Sequence, residues 1–248
     1  MPFNVGGTIW NGASASVHDY RSIITRGLVM NLDASAPGSY PGSGTTWGNL
    51  ASGSYSDGTL NGSPTFSTDN GGIFNFDGND DYIDCGTAIH GVMTSAFSLT
   101  MWFQGGASWN NSHMVSTGKM VTVNEPGFWI QGDTYKINVR IRENGNSTST
   151  NCVTSSNYNT NTWHYLAVTY NGSNLRIVID NFTEDITQSV TGTPGHSRSL
   201  KLGKAHDTVH DGSEMFPGKI ANFQIYNRAL SMSEIKYNYN VQRHRFGI

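Results

Sequence analysis

The chain has 248 residues, only 13% of them charged, and a formal net charge of −3. No basic block offers nucleic acid an electrostatic footprint, and no apolar run approaches the ~18 residues of a membrane-spanning helix. One all-β domain of this length buries about 70–75% of its extended surface. It needs no disulfide, and Cys85 and Cys152 fit either two free thiols or one pair.

The N-terminus, Met1 to Gly7, lacks the basic start and apolar core of a signal peptide, so synthesis in a cytoplasm is expected. Residues 1–26 show no sustained period. Their large side chains, Phe3, Ile9, Trp10, Tyr20, Ile23 and Ile24, interrupt runs of small residues. A disordered tail rarely carries so many large apolar groups. Two readings remain: an irregular segment packed on its own domain, or an anchoring arm that orders on a partner. The arm reading divides the chain into residues 1–26 and a domain at 27–248.

From Gly27 the pattern becomes that of strands. Leu28, Met30 and Leu32 share one face. Residues 36–70, rich in Gly, Ser, Pro and Asn, read as a long meandering connection. Ile73 to Phe76 and Tyr82 to Cys85 flank an Asp-Gly-Asn-Asp turn. Phe97, Leu99, Met101 and Phe103 alternate with Ser98, Thr100, Trp102 and Gln104. The cleanest alternation sets Tyr135, Ile137, Val139 and Ile141 against Lys136, Asn138, Arg140 and Arg142. Asn171-Gly172 between two strand patterns predicts a hairpin with a primed turn. Leu200 to Lys204 and Ile220 to Asn227 complete the set. Many short strands separated by turns predict an antiparallel two-sheet sandwich. One short helix is expected near the C-terminus: Ser231-Met232-Ser233-Glu234 fits a capping box, with Ile235, Tyr239 and Gln242 following at helical spacing.

Phe76-Asp77-Gly78-Asn79-Asp80-Asp81-Tyr82-Ile83 and Gly218-Lys219-Ile220-Ala221-Asn222-Phe223-Gln224-Ile225-Tyr226-Asn227-Arg228-Ala229-Leu230-Ser231 resemble the opening hairpin and closing strand of laminin-G-like domains. The segments Phe97–Phe103 and Thr162–Gly172 resemble that family's aromatic strand and central hairpin strand. The resemblance runs from about Gly27 to the C-terminus. It implies a concanavalin A-like jelly roll that hosts lectins, adhesion modules and glycosidases alike. Gly27–Ala34, Tyr40–Trp47 and the Arg245-Phe246-Gly247-Ile248 ending resemble structural proteins of tailed bacteriophages. That likeness implies a non-enzymatic capsid decoration, neck or fibre subunit on the virion surface. Its partners would be other virion proteins, further copies of itself in trimers or higher rings, and host surface glycans. A calcium-assisted lectin with no particle is the alternative.

Glycosidases on this sandwich resemble one another in a Glu-x-Asp-x-x-Glu strand. None of Glu125, Glu143, Glu184, Glu214 and Glu234 sits in that spacing, so no catalytic residue is assigned. Asp77, Asp80, Asp81 and Asp84 form the densest acidic cluster. The resemblance implies calcium at a loop edge, with Asp77, Asp80 and Asp81 as ligands; Asp and Asn in a tight turn explain the same residues without a metal. His206, Asp207, His210 and Asp211 offer either metal-type side chains or a solvated loop that contacts a glycan or partner. Trp109, among Gly, Ser and Asn residues, is the expected loop platform for a sugar.

Overall fold

Residues 22–107, 109–119, 125–143, 148–190, 192–206 and 214–248 are described by the computed structural model. In chain order, strands β1 (Leu28–Asp33), β2 (Thr46–Trp47), β3 (Gly58–Asn61), β4 (Thr65–Ser67), β5 (Ile73–Asp77) and β6 (Tyr82–Asp84) lead to a one-turn helix α1 (His90–Met93). Strands β7 (Phe97–Gly105), β8 (His113–Ser116), β9 (Gly127–Asp133), β10 (Lys136–Arg142), β11 (Thr150–Val153) and β12 (Trp163–Tyr170) follow. Then come β13 (Asn174–Ile179), β14 (Glu184–Ser189), β15 (Lys201–Leu202) and β16 (Pro217–Tyr226), and helix α2 (Met232–Gln242).

These strands make two antiparallel sheets. The first runs β14-β13-β12-β7-β16-β5-β4, with β1 also paired to β16; the second runs β11-β10-β9-β8-β15-β6-β3-β2. Residues 36–70, read from sequence as an irregular connection, contain three short strands. Trp47 there is fully buried and stacks edge-on against Phe74 at 4.8 Å. Tertiary contacts of its few large side chains override the turn-rich composition.

Strand alternation places the core. Ile137, Val139 and Ile141 of β10 point between the sheets, with Phe128 and Ile130 of β9. In β7, however, both faces are covered. Phe97, Leu99, Met101 and Phe103 enter the inter-sheet core, while Trp102 joins a second apolar layer outside the first sheet. That layer packs Tyr165, Val178, Ala221 and Tyr226 under Ile235, Tyr239 and Phe246 of the C-terminal segment. Polar groups beneath it pair off: Thr100 donates to Gln224 at 2.8 Å, and the Trp102 amide donates to Asn222 Oδ1 at 3.1 Å, while Trp102 Nε1 and the Tyr165 hydroxyl are buried without a partner among the described residues.

The local signals hold at the helix. Ser231 caps α2, its hydroxyl accepting from the Glu234 amide at 3.3 Å while Glu234 Oε2 accepts from the Ser231 amide at 2.8 Å. Arg228 grips the same carboxylate at 2.8 and 2.7 Å. This pair, chiefly, holds Glu234 down to about 2. The β12–β13 hairpin forms as expected, but by a different turn. Gly172 alone takes positive φ, and Asn171 Oδ1 accepts from the Ser173 and Asn174 amides at 3.0 and 2.8 Å.

The described end of the N-terminal segment lies on the second layer. The Ile24 amide donates to Asn238 Oδ1 at 2.8 Å, and its side chain packs against that layer. Phe3, Ile9, Trp10 and Tyr20 lie outside the described residues.

Candidate functional site

Pairing in the second sheet lines up one row of residues across all eight strands. Thr46, Thr59, Asp84, Lys201, Ser116, Trp129, Arg140 and Asn151 are successive register partners from β2 to β11. Their strand neighbours Ile83, Leu202, Val115, Phe128, Val139 and Cys152 belong to the inter-sheet core. Alternation therefore turns the row to the opposite face. A second row, His113, Gln131 and Asn138, runs beside it on β8, β9 and β10.

This outer face is polar, with many buried groups. Trp129 is 1% exposed: its Nε1 donates to the Gly118 carbonyl at 2.7 Å, and the Arg142 guanidinium lies 5.4 Å from its ring centre. Arg140 Nε donates to Asn151 Oδ1 at 2.8 Å. Asn138 Nδ2 donates to Asp133 Oδ2 at 3.1 Å, which leaves Asn138 Oδ1 facing elsewhere. That oxygen and Gln131 Oε1 are buried acceptors without a partner among the described residues. Buried acceptors of this kind are commonly satisfied by ordered water.

The described residues expected to bind from sequence have structural contacts of their own. Trp109 is fully buried, its ring stacked 6.0 Å from Phe103 and edge-on to Phe216 at 5.9 Å. It presents no face to a sugar, which corrects that expectation. The Gly and Asn residues around it let the loop fold over the end of the sandwich, and the large ring is buried as the apolar group. His206 Nε2 donates to the Ser199 carbonyl at 2.7 Å. Burial first, then the charge of Lys201, pushes this imidazole down to about 4, so it is neutral at pH 7. Asp207, His210 and Asp211 lie outside the described residues.

Asp77, Asp80 and Asp81 do converge, with one oxygen of each within 4.8 Å of the others. Their oxygens are largely spent on the turn itself. Asp77 Oδ1 and Oδ2 accept from the Asn79 amide and Nδ2 at 2.8 and 3.0 Å, and Asp81 Oδ2 accepts from the Asp77 amide at 2.9 Å. The Asn79 bonds hold Asp77 below the usual carboxylate range, while burial pushes Asp81 above it. Asp84 points away, accepting from the Gly86 amide and the Ser199 hydroxyl at 2.9 and 3.0 Å. Oxygen chemistry alone suits calcium, but the bonds present are those of an Asx turn.

Two further groups were not legible from spacing. A cleft of about 680 Å³ lies where the described chain begins, walled by Ser22, Ile23, Asn31, Asn70 and an Asp33–Arg245 ion pair of 3.1 Å. His164 bridges Asp180 Oδ2 at 2.9 Å and the Thr160 and Thr162 hydroxyls at 3.1 and 3.0 Å. Asp180 Oδ1 also accepts from the Tyr165 amide at 2.8 Å, so this group staples the start of β12. Glutamates serve structure similarly. Glu184 accepts from the Ser155 and Ser156 amides and from Tyr158 at 2.7–2.8 Å, and Glu125 takes Arg198 at 2.7 Å.

Solved structures share this fold. The binding domain of Paraclostridial Mosquitocidal Protein 1 superposes with a TM-score of 0.66 at 14% identity, over 86% of this chain and 52% of that one. The binding domain of Botulinum Neurotoxin DC, in complex with SialylT, gives 0.66 at 14% identity, over 88% and 52%. The chain thus spans about half the length of these toxin domains. Domain 4 of AbnA, an extracellular arabinanase from Geobacillus stearothermophilus in complex with arabinotriose, gives 0.63 at 15% identity, over 86% and 98%. At such identities the likeness is one of fold. No curated protein sequence matches the chain. Residues 77–236 match the profile of Laminin_G_3, described as the Concanavalin A-like lectin/glucanases superfamily. A match over more than half of the chain, on a two-sheet antiparallel sandwich, places this protein in the Laminin_G_3 family.

Proposed function

We propose that this chain is a non-enzymatic, glycan-binding sandwich carried on the surface of a bacteriophage particle as a capsid decoration, neck or fibre subunit. The observation that carries glycan binding is the polar row across the second sheet, in which Thr46, Thr59, Asp84, Lys201, Arg140 and Asn151 are at least partly exposed. Sugar hydroxyls are matched by partly exposed hydroxyl, amide and charged groups of this kind. The AbnA domain supports the reading, since a domain of this fold and nearly this length is in complex with arabinotriose. Glu125, Glu184 and Glu234 are each engaged in structural bonds. A hydrolase needs two carboxylates free to serve as acid and nucleophile or base.

The virion context rests on the bacteriophage-like segments. Gly27–Ala34 overlaps β1, and Arg245-Phe246 closes the second apolar layer. Residues 1–26 are then the attachment arm, acting through several copies in a symmetric trimer or larger ring. Mass spectrometry of purified particles tests the location, and a glycan array with the isolated protein tests the binding. Absence from particles removes the virion role; a blank array removes the lectin role. The convergence of Asp77, Asp80 and Asp81 favours one second reading, a calcium-assisted lectin not tied to a particle. Loss of array binding in chelator would select it.

A further inference from the structure

We propose that the cleft beside the C-terminal segment is a second ligand site, one that takes a neutral sugar unit. It belongs to the first sheet and is separate from the polar row of the second. Strand alternation sets its floor. Met30 and Leu32 of β1 enter the inter-sheet core, so Asn31 and Asp33 emerge on the outer face. The apolar layer covers the neighbouring strands. A cleft of about 680 Å³ is left between β1, the turn before β5 and the end of α2. Ligand pockets commonly measure about 300–1,000 Å³.

Three amides on its wall are held at one end and open at the other. The Trp102 amide N–H donates to Asn222 Oδ1 at 3.1 Å, so Asn222 Nδ2 is the group that donates to Gln242 Oε1 at 3.3 Å. Gln242 therefore keeps Nε2 for the cleft that it lines. Gln224 Nε2 donates to Asn31 Oδ1 at 3.3 Å, and Asn31 keeps Nδ2. Asn70 Nδ2 donates to the Arg245 carbonyl at 2.7 Å, which leaves Oδ1 as an acceptor. Two donors and one acceptor, each oriented by a bond to the fold, suit sugar hydroxyls, which both accept and donate. The charges on the wall cancel. Arg245 Nη1 donates to Asp33 Oδ1 at 3.1 Å, and Arg245 Nε donates to the Asn70 carbonyl at 3.1 Å. Ser35 donates to the same Asp33 oxygen at 2.8 Å. His244, on the rim, has an interaction of its own. A charged ligand would have to break the Asp33–Arg245 pair to gain a partner. Ile23 and Val241 supply apolar wall for sugar C–H groups.

The test is NMR of the isotope-labelled full chain, titrated with maltotriose, triacetylchitotriose, lactose and sialyllactose. The side-chain amide signals of Asn31 and Gln242 report the cleft, and the Trp129 indole signal reports the second-sheet face. At least one neutral sugar should shift the Asn31 and Gln242 signals. Sialyllactose should bind within about twofold of lactose, since its acid finds no open partner. Val241→Trp fills the cleft without removing a side-chain hydrogen bond and should weaken binding about tenfold, the worth of one or two such bonds. Shifts at the Trp129 indole with none at Asn31 and Gln242 overturn the proposal and leave the second-sheet reading intact. Cleft shifts of unchanged affinity in V241W overturn it, as does a preference of about tenfold or more for sialyllactose. No shift at Asn31 and Gln242 with any of the four sugars also overturns it. If V241W fails to fold, the wild-type shifts and the lactose–sialyllactose comparison decide.

Discussion

Replacing Phe246 by alanine should destabilise the whole sandwich, although this residue lies beyond the family match and two residues from the C-terminus. Its ring is 8% exposed, stacks on Trp102 with centroids 4.1 Å apart and planes 16° from parallel, and meets Trp163 at 4.8 Å. Trp102 is fully buried at the centre of the second layer, on a strand whose other face forms the main core. A buried Phe→Ala change costs 3–5 kcal/mol in general. A terminal segment can relax toward the void, so the low end applies, about 3 kcal/mol. At this chain length that corresponds to a melting temperature lower by roughly 6–12 °C. Urea unfolding followed by tryptophan fluorescence gives the free energy, and a red-shifted native emission would report newly wetted Trp102. A loss under about 1 kcal/mol with unchanged emission would refute the claim that the C-terminal segment completes the fold.

Three other outcomes are expected. Glu234→Gln should cost about 1 kcal/mol by weakening the cap and the Arg228 pair. Because Glu234 is held at about 2, below its ordinary 4.5, that contribution is full above pH 4.5 and lost as pH falls through about 2. Wild type and variant should therefore converge in acid-unfolding curves, and a constant gap down to pH 2 would contradict this. Chelation by EDTA should leave the melting temperature unchanged; calcium held at 100 times its Kd would stabilise by about 2.7 kcal/mol, so a fall of about 5 °C or more would show that the Asp77–Asp81 turn holds metal. Deleting residues 1–21 should give a folded sandwich that no longer assembles. Deleting on through Ile24 should also lower stability by about 1–2 kcal/mol, from the lost Asn238 bond and Ile24 packing. Equal stability of the two truncations by urea unfolding would show that Ile24 adds nothing.

Sequence-local signals hold where the physics is local. The period of two at Ile137, Val139 and Ile141 identified an inward face, because alternate side chains must leave opposite sides of a strand. Ser231 and Glu234 announced the start of α2, since a cap involves four consecutive residues. Asn171-Gly172 marked the hairpin, though not its turn type, because an Asx bond satisfied the backbone without positive φ at Asn171.

Composition misled where burial is decided by distant partners. Trp109 lies in a run of loop-forming residues, yet Phe103 and Phe216 enclose it. Trp102 alternates with the inward side chains of β7, and it is buried on the opposite face, where residues from 165 to 246 cover it. By itself, the sequence determined the all-β class, the inward residues of the regular strands and the capped helix, since each follows from short-range periodicity or capping. Only the tertiary structure decided that the outer face of the first sheet is roofed by an apolar layer from the C-terminal segment. It also decided that Tyr82 meets Lys201 and Lys204 across more than a hundred residues of chain. Strand register between β6 and β15 depends on how the two sheets close on their shared core, and no local pattern encodes it.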